Sequence, residues 1–291
     1  MESFPDINRQ KKYFLDIEIH SYLRDHRIEG RTVLPAVEAM IVLARVVKTN
    51  DPQMQIRYLQ KASFQRFLPI SPDLTHQPVI IKIESSDDAV ITASLWSLLK
   101  SKTGNISREI EHAQVSFVNI DQMSLSAPVV PHDFNHSKKN CIRVSPESVY
   151  QDLIPFGKAY QNIVSDLSVS PEGAWASLSG GDNEADENVL GSPFPLDAVL
   201  HAACVWGQRY AGILSFPVGF EKRIIFQKTE KKETYQGYVV PVNISRDVLV
   251  FDAWIYKNDV ICESISGIKM TDVTRGRMHP PPWIVNSNDT R

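Results

Sequence analysis

Two titratable side chains lie inside an apolar segment in the second half of the chain, where an unpaired charge is costly to bury. Asp197 and His201 are four positions apart within residues 194–212, so they would share one face of a helix. The imidazole can hold the carboxyl group by hydrogen bonding, and apolar surroundings favour the protonated acid. We therefore take Asp197 as a candidate general acid and His201 as the residue that orients it. A second interpretation stays open, in which Asp197 caps the start of the helix.

A third candidate, His26, lies in the polar stretch before the other apolar helix. Gly30 follows it and permits a tight turn or a close backbone approach by a ligand. Pro35 suits the first turn of a helix, because its missing N–H would have no partner there. The turn would bring His26 beside the start of that helix, where it could act as a base. The alternative is an exposed histidine in a loop.

The stretch LIPFGKAYQNI, residues 153–163, places a glycine among aromatic residues. We predict that it opens the first strand of the second half. Gly157 would then provide a bend, and Phe156 and Tyr160 would belong to the core. Residue type alone gives these three positions no chemical role.

The elements around these residues follow the same order twice. A helix apolar on nearly every side begins near Pro35, and another begins near Pro195, about 160 residues later. Such a helix must be enclosed, and each is followed by four β-rich segments that can wrap around it. We predict an α+β protein of two tandem units, 1–122 and 141–291, joined by a Ser- and Pro-rich linker at 123–140. An α+β protein whose halves share no plan is the alternative.

Composition narrows the classes of function. The chain has 291 residues, a formal net charge of −3 and three scattered cysteines (Cys141, Cys204 and Cys262). This charge gives no general attraction to nucleic acid, and the cysteines are too few for a disulfide framework or a zinc site. No signal peptide and no apolar run of about 20 residues is found. We expect a cytoplasmic protein that binds neither nucleic acid nor membrane.

Taken together, these stretches resemble the dehydratase domain of modular polyketide synthases. The family motif H-x-x-x-G-x-x-x-x-P is complete as His26, Gly30 and Pro35, and D-x-x-x-Q/H is present as Asp197 and His201. The resemblance extends from about residue 13 to about residue 272 and includes FPVGF at 216–220. It implies a double hotdog fold, in which two units each wrap an antiparallel sheet around a long helix.

The resemblance also implies a hydro-lyase reaction. The substrate would be a 3-hydroxyacyl thioester on the phosphopantetheine arm of an acyl carrier protein, and no metal or organic cofactor would be needed. His26 would remove the α-proton, and Asp197, oriented by His201, would protonate the leaving hydroxyl. Backbone N–H groups near Val33 or Leu34 would stabilise the enolate-like oxygen. Gly30, Pro35, Phe156, Gly157 and Tyr160 would line the substrate site.

Some positions depart from the family pattern. The usual Y-G-P-x-F-Q reads Phe156-Gly157-Lys158-Ala159-Tyr160-Gln161 here, so a tyrosine hydroxyl is missing. The family's L-H-P before the aspartate is also changed, to Phe194-Pro195-Leu196. These changes keep three alternatives open: an isomerase, a product-template-like cyclase that uses the same His/Asp pair, and a non-catalytic hotdog that binds a carrier protein.

The expected partner is an acyl carrier protein or a synthase module. Such carriers are usually acidic, so their docking site should be locally basic. Candidates are Arg275 and Arg277, or Lys222 and Arg223. A homodimer is also expected to be possible.

Overall fold

A computed structural model describes residues 9–87, 89–100, 107–120, 141–182 and 189–286. The predicted linker at 123–140 lies outside the described residues, so the boundaries of the two units stay a prediction. No helix among the described residues is long and apolar enough to cross a membrane.

Two long helices occupy the positions predicted for them. Helix α1 covers Ala36–Asn50, with Pro35 in extended conformation just before it, and helix α3 covers Phe194–Trp206. Every residue of α3 is buried, as expected for a helix that is apolar all round. Two short helices complete the set: α2 (Pro146–Ser148) and α4 (Pro282–Asn286).

The described strands form one large sheet and one small hairpin. In chain order they are β1 (Arg9–Glu18), β2 (Arg27–Ile28), β3 (Arg31–Thr32), β4 (Tyr58–Ser63), β5 (His76–Asp87), β6 (Val90–Lys100), β7 (Ser107–Val118), β8 (Ile142–Val144), β9 (Leu167–Ser170), β10 (Gly173–Ser179), β11 (Phe216–Ile225), β12 (Thr234–Ile244), β13 (Leu249–Lys257) and β14 (Val260–Thr271). The large sheet has the order β1-β5-β6-β7-β4-β11-β14-β13-β12-β10-β9-β8, and all of its pairings are antiparallel. Strands β2 and β3 pair separately.

Each half of the sheet encloses one helix. Helix α1 packs on β5, β6 and β7, whereas α3 packs on β9 to β13, and the two helices touch each other. The strands turn alternate residues inward, as in β10, where Ala174, Ala176 and Leu178 are buried. The predicted α+β architecture of two helix-in-sheet units is thus present.

Strands β4 and β11 join the halves into a single sheet. Leu59 pairs with Arg223 in this antiparallel register, and Ala62 pairs with Phe220. Arg223 is only 2% exposed. Its guanidinium binds the buried carboxylate of Glu263, with N–O distances of 2.7 and 2.8 Å. The expectation that Arg223 belongs to a surface docking patch is therefore wrong.

The segment 153–163 differs from its prediction. It follows the helical turn Val149–Leu153, contains a second turn at Lys158–Tyr160 and forms no strand, apart from an isolated bridge between Ile163 and Leu178. In this segment the N–H groups of Gly157 and Ala159 donate to Asp25 in the loop that carries His26, and not to a neighbouring strand.

Candidate active site

A tight hairpin presents His26 to the interior. Strands β2 and β3 are connected by Glu29 and Gly30, whose φ angles of 48° and 75° are those of the two-residue turn favoured between twisted strands. A Cβ atom on Gly30 would have no neighbour within 4 Å, so this glycine serves the turn and not a close approach. The hairpin folds back so that the Val33 N–H donates to the His26 carbonyl, 3.1 Å away.

His26 is a buried, neutral imidazole with one nitrogen committed. Its Nδ1 lies 3.1 Å from the carbonyl oxygen of Val33, and a carbonyl only accepts, so Nδ1 carries the proton. The lone pair is therefore on Nε2. Burial lowers the pKa of His26 to about 4, an effect that the nearby Asp197 partly offsets. The alternative of an exposed loop histidine is wrong.

Asp197 and His201 form a buried pair on α3. Asp197 Oδ2 and His201 Nε2 are 3.0 Å apart, within ion-pair distance, but their angles are not those of a hydrogen bond. Both residues are about 5% exposed or less. The helix cap is Pro193, without a side-chain hydrogen bond, so the Asp197 carboxyl does not cap the helix.

Phe156 lies between the two imidazoles. Its ring centroid is 4.3 Å from that of His26 and 5.2 Å from that of His201. Tyr160 packs edge-on against His26 at 5.2 Å and is completely buried, and its hydroxyl has no hydrogen-bond partner among the described residues. Both aromatic residues named from the sequence thus contact the site, and Phe156 supplies no hydroxyl to it.

Asp25, next to His26, fastens the second-half loop to the first half. Its carbonyl accepts from the Gly157 N–H at 2.8 Å, and its carboxylate accepts from the Ala159 N–H at 2.9 Å. A Cβ atom on Gly157 would lie 2.4 Å from Asp25 Cγ, so only glycine allows this approach. The glycine predicted to provide a bend thus serves a close contact with Asp25, a partner that the local sequence does not reveal.

The expected oxyanion donors are not available. The Val33 N–H donates to His26, and the Leu34 N–H donates to the Leu68 carbonyl at 2.9 Å. This part of the expectation is wrong, because the Val33 donor closes the hairpin and the Leu34 donor joins the chain after the hairpin to the segment at Leu68. Ala36, the first residue of α1, also lines the cavity, and the N–H of a first helical residue has no partner within its helix.

Two buried polar residues near the site were missed by the sequence analysis. The Tyr150 hydroxyl lies 3.4 Å from His201 Nδ1 and accepts from the Ile163 N–H at 2.9 Å. Glu38, on α1, accepts from the Tyr22 hydroxyl at 3.1 Å, and burial raises its pKa to about 7. A signal for Glu38 was present, since a carboxylate within an apolar helix is as unusual as Asp197.

These side chains line a narrow cavity between the halves, which we call the catalytic cavity. Its volume is about 70 Å³, and its walls hold His26, Asp197 and His201 together with apolar residues of both halves. Within the described parts of the chain, no group of three His, Cys, Asp or Glu residues has an arrangement that could hold a metal ion. Two imidazoles and a carboxyl group therefore face a shared, largely apolar space.

The second half of the chain matches a family model. Residues 141–280 match the model described as polyketide synthase dehydratase N-terminal domain. This range contains Asp197 and His201, whereas His26 lies outside it. No curated protein matches the chain.

Solved structures extend the likeness to nearly the whole chain. The dehydratase domain from the CurF module of curacin polyketide synthase covers 93% of this chain and 95% of its own, with a TM-score of 0.71 and 15% identity. A trans-AT polyketide synthase dehydratase domain from Brevibacillus brevis covers 91% and 94%, with a TM-score of 0.69 and 17% identity. A monomeric dehydratase domain from a trans-AT split module covers 91% and 100%, with a TM-score of 0.70 and 11% identity. At these identities the likeness shows the fold, and the predicted double hotdog is confirmed.

Proposed function

From the premise that the chain resembles polyketide synthase dehydratases, in fold throughout and in sequence over residues 141–280, we propose that it removes water from a 3-hydroxyacyl thioester. The products are an α,β-unsaturated thioester and water. Polyketide synthase dehydratases are hydro-lyases, and the reaction consists of two proton transfers and the loss of hydroxide as water. The observation that carries the proposal is that a buried base and a buried acid, one from each half, line the same cavity.

His26 is the proposed base. Its Nδ1–H is held by the Val33 carbonyl, so Nε2 is the nitrogen that takes the α-proton of the substrate. Because burial lowers the pKa of His26 to about 4, the imidazole is neutral and competent near neutral pH. The proton becomes easier to remove when a donor stabilises the enolate-like oxygen of the thioester. With Val33 and Leu34 committed, we assign this role to the N–H of Ala36 at the start of α1.

Asp197 is the proposed acid. In its protonated form it donates to the β-hydroxyl, so that the C–O bond breaks with water as the leaving group. His201 lies within 3.0 Å of the carboxyl group and holds it towards the cavity. At the end of the reaction His26 has gained a proton and Asp197 has lost one, and return of this proton restores the enzyme without a cofactor.

The proposed substrate carrier is the phosphopantetheine arm of an acyl carrier protein. Of the four basic residues named from the sequence, Arg223 is buried and Arg277 is engaged with Glu29 at 2.8 and 2.9 Å. Arg275 is exposed and Lys222 is half-buried, and these two remain candidates for the docking site. The homodimer stays a prediction.

Mass spectrometry of 3-hydroxyacyl carrier proteins incubated with the protein tests the proposal. We expect the native protein to remove the mass of one water, and His26→Ala and Asp197→Asn each to slow this by at least roughly 10²-fold, as for loss of a general acid or base. His76→Ala and Asp73→Asn, both at exposed positions, are the matched controls and should leave the rate unchanged. A native protein that dehydrates no member of the panel would overturn the proposal.

A double-bond isomerase is the second candidate function. It needs the same base and acid, and it does not need a group that binds the β-hydroxyl. The observation that favours it is that Phe156, which contacts both imidazoles, carries no hydroxyl. Incubation of α,β-unsaturated thioesters in deuterated buffer separates the two functions, because isomerisation removes a γ-proton and places deuterium on the α-carbon of a β,γ-unsaturated product, without gain or loss of water.

A further inference from the structure

A buried polar cluster lies between α1 and α3, and we call it the Glu38 cluster. It consists of Tyr22, Glu38 and Tyr160, which are each at most 9% exposed and do not line the catalytic cavity. The Tyr22 hydroxyl donates to Glu38 Oε1 at 3.1 Å. The rings of Tyr22 and Tyr160 both pack on Phe194, with centroids 5.9 and 5.6 Å from its own. The two proton transfers proposed above use none of these groups.

The Glu38 cluster reaches Asp197. Phe194 and Asp197 are three positions apart on α3 and so lie on the same side of that helix. Burial raises the pKa of Tyr160, and the charges of Glu38 and Asp197 raise it further. The phenol of Tyr160 is therefore within electrostatic reach of one carboxyl group on each long helix.

Glu38 is suited both to take and to give a proton. Burial raises its pKa to about 7, and Asp197 adds to this effect, whereas the Tyr22 hydroxyl and Arg45 oppose it. An ordinary glutamate is ionised near neutral pH and can only accept a hydrogen bond or a proton there. At this position the acid and the carboxylate are both populated near neutral pH.

Two buried polar atoms lack a hydrogen bond where the cluster meets the site. Among the described residues, neither the Tyr160 hydroxyl nor Asp197 Oδ2 has a partner. A buried group without a partner costs about 1–3 kcal/mol, so this hydroxyl does not serve stability. A phenol can rotate and can both donate and accept. A charge-assisted hydrogen bond is the stronger kind, so ionised Asp197 should attract the Tyr160 hydroxyl.

Tyr22 connects the other end of the cluster to the surface. It lines a polar surface cavity together with Asp25, Lys158 and Asn162. Within the described parts of the chain, this surface cavity and the catalytic cavity share no wall residue. A proton that passes through the Tyr22 hydroxyl would therefore reach Glu38 without crossing the space that the substrate fills.

We propose that Glu38 and Tyr160 return a proton to Asp197 after each turnover. Ionised Asp197 takes the Tyr160 proton while Tyr160 takes that of Glu38, and Glu38 then takes a proton from solvent through Tyr22. His26 releases the α-proton through the catalytic cavity, so that one proton enters and one leaves. Glu38 and Tyr160 act through Asp197 and do not touch the substrate. This inference rests on the proposed dehydratase function and adds how its acid is restored.

Comparison of the first turnover with later turnovers tests the inference. With the protein in excess over a 3-hydroxyacyl carrier protein, Asp197 starts protonated, so Tyr160→Phe and Glu38→Gln should release water at the native rate. With the substrate in excess, both variants should slow by at least roughly tenfold after one equivalent of water. The native protein should show no such burst. Phenylalanine suits position 160, since the family pattern Y-G-P-x-F-Q has it there.

Tyr235→Phe is the matched control. Tyr235 is also buried, but its hydroxyl accepts from the Glu230 N–H in a surface loop, so this variant should show no burst. Equal slowing of first and later turnovers in Tyr160→Phe and Glu38→Gln would indicate a structural role and overturn the inference, as would native rates in both regimes. No release of water by the native protein in either regime would overturn the proposed function itself.

Discussion

The carboxylate of Asp25 accepts a hydrogen bond from the N–H of Ala159, although 134 positions of sequence separate the two residues. The same Asp25 receives the Gly157 N–H on its backbone carbonyl. The loop that presents His26 is thus tied to the loop that presents Phe156. The position of His26, the proposed base, therefore depends on a contact between the halves, and not on its own hairpin alone.

Substitution of Asp25 tests this connection. Asp25→Ala removes a hydrogen bond to a charged group, so we expect a stability loss of about 1.5–3 kcal/mol in urea unfolding. Because the rings of His26 and Phe156 would lose their fixed separation, kcat/KM should fall by roughly tenfold to a hundredfold. Asp73→Ala, at an exposed position, should change neither quantity. A variant with native activity at reduced stability would show that the connection serves folding only.

Two glycine substitutions separate turn strain from close approach. Gly157→Ala places a methyl group 2.4 Å from Asp25 Cγ, so the connection must open and activity should fall at least roughly tenfold. Gly30→Ala meets no atom within 4 Å, but it keeps a φ of 75° and should cost about 1–2 kcal/mol in stability. Thermal unfolding and turnover rates measured on both variants check this contrast. A larger loss of activity in Gly30→Ala than in Gly157→Ala would contradict it.

His26 and Glu38 should give the stability opposite dependences on pH. The pKa of His26 is lowered to about 4, so the unfolded chain binds more protons than the native one between pH 4 and 6.5, and stability rises with pH there. The pKa of Glu38 is raised to about 7, so the native protein binds more protons between pH 4.5 and 7, and stability falls. The two contributions should largely cancel in the native protein.

Variants at these positions uncover the two contributions. As the pH rises from 4.5 to 7, the free energy of unfolding of Glu38→Gln should increase by roughly 3 kcal/mol relative to that of the native protein. A shift of one pKa unit corresponds to 1.36 kcal/mol. As the pH rises from 4 to 6.5, the free energy of unfolding of His26→Phe should decrease by a similar amount relative to that of the native protein. Urea unfolding at a series of pH values measures both. Parallel pH profiles for all three proteins would contradict the assignment.

The buried pair of Arg223 and Glu263 should be much more costly to break than to replace. Burial raises the pKa of Glu263, and Arg223 opposes this effect more strongly than any other group, so the ionised carboxylate depends on the guanidinium. Arg223→Met should cost about 3–5 kcal/mol, whereas the double variant Arg223→Met/Glu263→Leu should recover most of it. Urea unfolding of the two single variants and the double variant gives the coupling energy. A double variant whose loss of stability equals the sum of the two single losses would contradict this expectation.

Tyr150 should act through His201. Tyr150→Phe removes the hydroxyl near His201 Nδ1 and leaves the Ile163 N–H without its acceptor, at a cost of about 1–3 kcal/mol. If the hydroxyl positions His201, kcat should fall several-fold while KM changes little. Tyr13→Phe removes a tyrosine hydrogen bond to Asn50 far from the site and is the matched control. A loss of stability with native kcat would limit Tyr150 to a structural role.

Local pattern was enough to predict the two long helices and the β-rich segments that follow each of them, because apolar periodicity is local. It also indicated Asp197, because a carboxylate in an apolar helix is costly to bury without a partner. The pattern did not reveal β1, whose residues Lys11, Lys12 and Asp16 give this edge strand a polar character. It could not reveal the bonds of Asp25 or Tyr150, because these join segments that are remote in sequence.

The pairing of β4 with β11 has a consequence for how the protein could be divided. A chain cut between Val118 and Ile142 would leave one piece with the proposed base His26 and the other with the proposed acid Asp197, and each piece would expose an unpaired strand edge at β4 or β11. Neither fragment could complete the reaction by itself. Activity would return only when the two fragments reassociate along that edge. A measurement of activity would therefore detect fragment complementation.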